Sequence, residues 1–428
     1  LAYCMRSLPE LEASPTLGVE RLRAYGNIGQ LQLKLRNSAQ AETYLSNARA
    51  QAADLIVKGD PEPAKIALYQ QWLGRYSLLL SDIRGLAGRH DDSLTLLKEA
   101  TLNLDLGLAA DPKNRLARNE CARAWLEYGL RTLRNGDVDD SEKALARVPG
   151  ILDPELIGQE LINDEKFILA RATYAKGISQ REAGKIEESL NTLIDAVRDM
   201  GELVLGSSPR NQDQALLLAE AYTELAELIG RHFSGADAKE AHNQALPILL
   251  ELNRLLPEWA EVKYLLARNY GSLASLARDA GTASEAAKKK ADAIELVNEI
   301  LADDKENARY GFLQAKLRGE YAELMADSGK TTAAIPIAQQ AVESLEALIR
   351  AQPKSGKLTP ERRMWASQLA QLYGSLGHTC ESAGKKAEAK EAFGKAVAIW
   401  EQLASAVAND EAIEAGLSWS KGRLAKIK

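Results

Sequence analysis

Apolar residues recur in helical register on both sides of single glycines, with polar residues filling the positions between them. The stretch "CARAWLEYGLRTLRNGDVDDSEKAL", from Cys121 to Leu145, shows the arrangement. One amphipathic segment carries Trp125, Tyr128 and Gly129, a turn follows at Gly136, and a second segment opens near Ser141. Comparable turn glycines stand at Gly88, Gly184, Gly235, Gly281, Gly329 and Gly384, and Gly88 through Gly384 are separated by 48, 48, 51, 46, 48 and 55 residues. Arg36 occupies the same slot 52 residues before Gly88. A fixed period of this kind predicts an array in which each unit is one helical hairpin. A chain rich in Ala, Leu, Glu and Lys and poor in β-branched runs supports helix throughout.

The pattern sets expected boundaries. Residues 1–19 read as an N-terminal cap or linker, 20–406 as the repeat array, and 407–428 as a C-terminal capping helix. Within the array the units fall at 20–58, 64–112, 113–152, 160–206, 210–257, 258–304, 305–353 and 359–406. Pro61, Pro63, Pro112, Pro149, Pro154, Pro209, Pro257, Pro353 and Pro360 are assigned to the junctions, where helices should be punctuated. Pro247 and Pro336 fall inside second helices, where a bend is expected. The junction strings "AADPKN", "GSSPRN" and "ADDKEN" are of one kind. The terminal "WSKGRLAKIK" is basic and amphipathic and reads as a helix covering the last repeat.

The slots themselves resemble a known family. "YGSLGHTCESAGKKAEAKEAFGKA" places Tyr373, Leu376, Gly377, Gly384, Ala389, Phe393 and Ala396 at the spacing of tetratricopeptide repeats. The first unit offers Tyr25, Ile28, Gly29, Ala41, Leu45 and Ala48. The fourth offers Gly177, Gly184, Ser189, Leu193 and Ala196, with Thr173 in place of the aromatic. Small residues let two antiparallel helices approach, and the aromatic fills the wedge between them. That family repeats every ~34 residues, so ~14 more per unit implies about two extra turns on each helix. The resemblance implies an all-α fold, a right-handed superhelical α-solenoid of about eight elongated hairpins.

Charge and chemistry narrow the function. A net charge of -6 with mixed signs and 5% aromatics argues against a nucleic-acid binder, which needs a basic face and stacking platforms. Three cysteines, Cys4, Cys121 and Cys380, form no disulfide framework. No apolar run is long enough to span a membrane. "GKTT" at 329–332 lacks the upstream glycine of a phosphate loop, because Leu324 stands there. His378 and Cys380 are two apart on one helix and point in different directions. With no metal-ligand spacing among His90, His232 and His242, and no catalytic motif, the chain is read as non-catalytic, without metal or cofactor.

One series stands out. Arg123 precedes Trp125 by two positions, and the same offset gives Arg23, Arg75, Arg171, Arg268 and Lys316; Glu220 and Gln371 interrupt it. In a tetratricopeptide-like superhelix this side of the first helix lines the inner concave surface. Two explanations stand. Each cation pairs with a carboxylate of its own or the next unit, with Asp82, Glu182, Glu227, Asp279 and Glu323 at hand, or the row meets an acidic peptide or another anion. The family's carboxylate clamp is not expected, because its Asn slot holds Gln30, Asp82, Leu130, Ile178, Glu227, Ser275, Glu323 and His378.

The ~48-residue spacing, with junctions such as "LGLAADPKNRLARNECARAWLEYG", also resembles extended arrays on the C-terminal side of bacterial Hanks-type serine/threonine kinases. That resemblance implies a bacterial sensor or substrate-recruiting region with a protein or peptide partner and catalysis upstream of Leu1. It places the array in the cytoplasm or on a membrane tether, with its oligomeric state open. The alternatives are a free-standing adaptor in envelope assembly, secretion or polysaccharide export, and the recognition part of another enzyme such as a glycosyltransferase.

Overall fold

The computed structural model describes residues 2–14, 16–35, 37–59, 62–87, 89–207, 211–351, 359–407 and 410–427. Among them every regular element is helical. Arg36, Gly88, Pro61, Pro209 and Pro353, assigned above to turns and junctions, lie outside the described residues. The chain divides into two compact units, residues 1–199 and 200–428.

The first unit opens with α1 (Ala2–Ala13). It continues with the hairpins α2 (Gly18–Lys34) and α3 (Ser38–Lys58), α4 (Pro63–Leu86) and α5 (His90–Ala110), and α6 (Arg115–Arg134) and α7 (Val138–Ile151). A single turn, α8 (Pro154–Ile157), leads to α9 (Asn163–Glu182) and α10 (Ile186–Leu205), within which the boundary falls. The second unit holds α11 (Gln212–His232) with α12 (Gly235–Leu255), α13 (Ala260–Asp279) with α14 (Ala283–Asp303), and α15 (Ala308–Asp327) with α16 (Thr331–Ala351). It ends with α17 (Pro360–Ser382), α18 (Lys386–Ala406) and a last helix, α19 (Glu411–Lys426).

Each hairpin turn has a local cause. Gly136, Gly184, Gly281, Gly329 and Gly384 all take positive φ, between 77° and 79° or, at Gly384, 76°. The residue after each glycine then donates back to the carbonyl five positions earlier: Asp137 to Thr132, Lys185 to Gln180, Thr282 to Ala277, Lys330 to Met325 and Lys385 to Cys380. This is the Schellman closure of a helix end, which needs a left-handed residue and so selects glycine. Asn37 to Gln32 and Arg89 to Arg84 repeat the bond in the first two hairpins. Gly235 departs from the expectation. It is the first residue of α12, with the turn made by Phe233 and by Ser234, whose hydroxyl caps Asp237 N–H. The irregular intervals of 51 and 46 come from counting that glycine. Pro149 also departs from its junction assignment, since it lies in the last turn of α7.

The junction strings end on caps. Asn114, Asn211 and Asn307, the last residues of "AADPKN", "GSSPRN" and "ADDKEN", each accept a backbone N–H from the first turn of the following helix. Such a side chain satisfies donors that the helix start leaves free.

Two kinds of close approach build the array. Within a hairpin, a glycine on the first helix faces a bulky residue 16 positions later. A methyl on Gly29, Gly129, Gly177 or Gly377 would lie 2.7–2.9 Å from Leu45, Leu145, Leu193 or Phe393. Between successive first helices, large and small residues exchange roles. In the first unit Gly26 receives Tyr76, whereas Leu78 shares a core cluster with Ala124, and Leu126 with Ala172. In the second unit Gly271 receives Leu317, Gly319 receives Leu372 and Gly374 receives Trp419. In the first unit a buried ion pair adds to this seam. Glu165 on α9 is fully buried, takes the Ile162 N–H at 3.0 Å, and lies 3.3 Å from Arg118 and from Arg115 of α6.

These contacts predict opposite effects for two glycines of one hairpin. Gly377→Val drives a branched side chain into Phe393 and is expected to lower stability by ~1–3 kcal/mol. Gly394 in α18 has open space where a Cβ would stand, so Gly394→Ala is expected to add ~0.5–1 kcal/mol. Urea denaturation followed by circular dichroism checks both signs.

Candidate functional site

The six cations of the series have three different fates. Arg171 reaches back to Glu127 on α6 at 2.7 Å, and Arg268 reaches back to Glu224 and Glu227 on α11, both at 2.8 Å. Arg75 reaches forward to Glu120 on α6. Burial works against the charge of Arg268, yet Glu227 and Glu224 outweigh it and hold the guanidinium well above its ordinary value. Lys316 is half-buried beside Glu320, whose charge it helps to stabilise. Arg23 is exposed, with its guanidinium 5.3 Å from the centre of the Trp72 ring. Arg123 is exposed and makes no ion pair among the described residues.

In the first unit the cations on α6 are in surplus. Arg123, Glu127, Arg131 and Arg134 share one face, at offsets of zero, four, eight and eleven. Glu127 is taken by Arg171. Arg131 lies over Gly85 and meets His90 Nδ1 at 3.5 Å, with no carboxylate in ion-pair range among the described residues. Burial, and then the repulsion of Arg134, lower its pKa below the usual arginine value. Asp82 on α4 feels these cations and makes no ion pair among the described residues. Burial pushes its pKa to about 6, with Glu127 adding to the rise and Arg123, Arg131 and Arg171 opposing it.

Several charges of the second unit pair within it. Arg278 on α13 bridges Glu323 and Asp327 on α15, each at 2.8 Å. Arg309 takes both oxygens of Glu261, at 2.8 and 2.9 Å, and lies 4.0 Å above Tyr264. Lys290 on α14 is 1% exposed; it donates to Gly271 O at 2.8 Å and to the Glu320 carboxylate. Burial of Glu320 is outweighed by Lys290 and Lys316, which hold its pKa below the ordinary carboxylate value. Arg278, Lys290, Glu320 and Glu323 border a half-enclosed cavity of about 480 Å³ that extends to α17, α18 and α19.

The comparisons with known proteins bear on this repeat directly. A tetratricopeptide repeat model matches residues 370–399, which span the α17–α18 turn. A signal-transduction ATPase with numerous domains from Pyrococcus horikoshii, which carries a tetratricopeptide repeat sensor, superimposes with a TM-score of 0.52 at 12% identity. The match covers 96% of this chain and 54% of that one. The chain has a tetratricopeptide-type helical-repeat fold. The apo form of the quorum sensor NprR from B. thuringiensis gives a TM-score of 0.45 at 13% identity, covering 89% of this chain and 99% of that one. The Rap conjugation gene regulator of plasmid pLS20, in complex with the Phr* peptide, gives 0.40 at 12% identity, covering 77% and 74%. No curated protein matches in sequence.

Within this tetratricopeptide array the other sequence candidates resolve into structural roles. Gly329 of "GKTT" is the α15–α16 turn glycine. His378 contacts Asp327 and Arg423, at 3.4 and 3.2 Å, whereas Cys380 is buried against Ile335, Ala389 and Phe393. Burial raises the Cys380 thiol, the reverse of an activated nucleophile. Arg131, Arg134, Lys290 and Gln368 were absent from the sequence-based candidates. Spacing on α6 could have flagged the two arginines; Lys290 and Gln368 carry no comparable signal.

The raised pKa of Asp82 makes a pH-dependent prediction. A carboxyl whose folded pKa exceeds its unfolded value contributes most below pH ~4 and loses that contribution as pH rises through about 6. Asp82→Asn is therefore expected to raise stability near pH 7.5 by ~1–3 kcal/mol and to leave it unchanged near pH 4. Urea titrations at the two pH values check this, and an equal gain at both would show that burial does not dominate.

Proposed function

We propose that this chain is a non-catalytic interaction scaffold whose first unit captures an acidic segment of a partner protein on the α6 face. The observation that carries this reading is the set Arg123, Arg131 and Arg134. They share one helix face, and none has a carboxylate within ion-pair distance among the described residues. Like charges one helical turn apart repel, so an incoming carboxylate row relieves a cost already present in the free protein. Guanidinium forks suit that partner. Of the original series, Arg75, Arg171 and Arg268 are committed to internal pairs, which leaves Arg123 as the member best placed to meet a ligand.

The resemblance of the ~48-residue period to kinase-attached arrays supports a role as the sensor or substrate-recruiting region of a bacterial serine/threonine kinase. On that reading G-x-G-x-x-G, H-R-D and D-F-G motifs precede the codon for Leu1 in the same reading frame.

The test is charge reversal at two exposed positions, Arg123→Glu with Arg134→Glu, read by fluorescence anisotropy with a labelled Glu/Asp-rich dodecapeptide. Binding is expected to weaken at least ~10-fold while circular dichroism stays unchanged. Arg171→Glu, which breaks the pair with Glu127, is expected to lower stability instead. Unaltered peptide affinity in the double variant removes the α6 face as the docking site.

A further inference from the structure

We propose that the cavity of the second unit binds a neutral, hydroxyl-rich small molecule of mono- or disaccharide size. Its volume of about 480 Å³ lies within the range of small-ligand sites. The walls come from α13, α14, α15, α17, α18 and α19, so it is shaped as a pocket rather than as a track along one helix.

The charge balance selects against an ionic ligand. Both cations in the walls are matched within the protein, Lys290 by Glu320 and Arg278 by Glu323, and Glu323 also accepts the Ser375 hydroxyl. A peptide terminus or an acidic side chain would find no free counter-charge. This separates the cavity from the α6 face of the first unit, where the cations lack partners.

What remains free is neutral and able both to donate and to accept. Gln368 is 8% exposed, lines the cavity, and its amide makes no hydrogen bond among the described residues. Ser420 is 1% exposed, and its hydroxyl also lacks a partner. Gln371, in the slot where other units carry a cation, brings a second unpaired amide to the rim. The Ser420 hydroxyl, buried without a partner, is destabilising as it stands, and a ligand hydroxyl can satisfy either sense of a bond to it and to the two amides. Trp400 and the half-exposed Trp419 add apolar surface for the C–H face of such a ligand. Ala412, Ala415 and Gly416 keep the α19 wall low beside them.

Titration of the whole chain with glucose, maltose and trehalose, followed by tryptophan fluorescence and calorimetry, tests the assignment. At least one sugar is expected to give a saturable response. That response should weaken at least ~10-fold in Gln368→Ala and in Trp419→Ala, and persist in the Arg123→Glu, Arg134→Glu variant. Should either cavity variant lose its helical circular dichroism, Gln371→Ala on the exposed rim replaces it, with a weakening of several-fold expected. Absence of a saturable response to all three sugars overturns the proposal. So does saturation by a capped Gln-Ser-Gln peptide with none by sugar, or a sugar response indifferent to the cavity substitutions.

Discussion

The organisation of each unit depends on how closely one first helix can approach the next. At every seam described, a large residue on one helix is matched by a small one on the other, but which side is large differs from seam to seam. Gly26 takes Tyr76, then Leu78 shares a core with Ala124 and Leu126 with Ala172; later Gly271, Gly319 and Gly374 take Leu317, Leu372 and Trp419. Dense interiors tolerate neither two large residues nor two small ones at such a point, since the first strains the helices and the second leaves a void. The exchange also fixes a register. At Gly26–Tyr76, Leu78–Ala124, Leu126–Ala172, Gly271–Leu317 and Gly319–Leu372 the earlier residue lies three positions after a slot of the series, and the later one a single position after the next slot, which Gln371 fills before Leu372.

That register explains why the cations form a series. A side chain placed one residue before the later helix's contact residue emerges at the rim of the seam, within reach of the neighbouring helix. Arg171 and Arg268 accordingly reach the preceding first helix and Arg75 the following one. These pairs are partly buried, and the enclosed Glu165 with Arg118 and Arg115 is costlier still to break because it would leave a fully buried charge. The two units then differ in what they leave over. The first retains unpaired arginines on α6. Around its cavity the second matches its cations with carboxylates and leaves neutral amides and hydroxyls.

Much of the fold was legible because its determinants are local. A glycine that must take positive φ, an asparagine that caps the next helix, and a small residue facing a bulky one 16 positions later all leave marks in sequence. The error at Gly235 is instructive. A glycine stands near the expected place, but Phe233 and Ser234 make the turn by another route. The charge partners were far less legible. Of the acids named beforehand for the series, Glu227 is the one that pairs with a member of it, while Glu323 is bound by Arg278. Such pairs join residues more than forty positions apart, as with Arg171 and Glu127, and depend on helix rotation to within a fraction of a turn. The cavity needs six helices at once, so no short pattern could announce it.

The size exchange between first helices is open to a direct measurement, a double-mutant cycle at Gly319 and Leu372. Gly319→Leu alone forces two leucines into one space and Leu372→Ala alone opens a void, and each is expected to destabilise by ~1–4 kcal/mol. Together they recreate the leucine–alanine arrangement found at Leu78 with Ala124. If the exchange governs stacking, the double variant recovers most of what the single variants lose, giving a coupling energy above ~1 kcal/mol. Simple additivity of the two losses would contradict it.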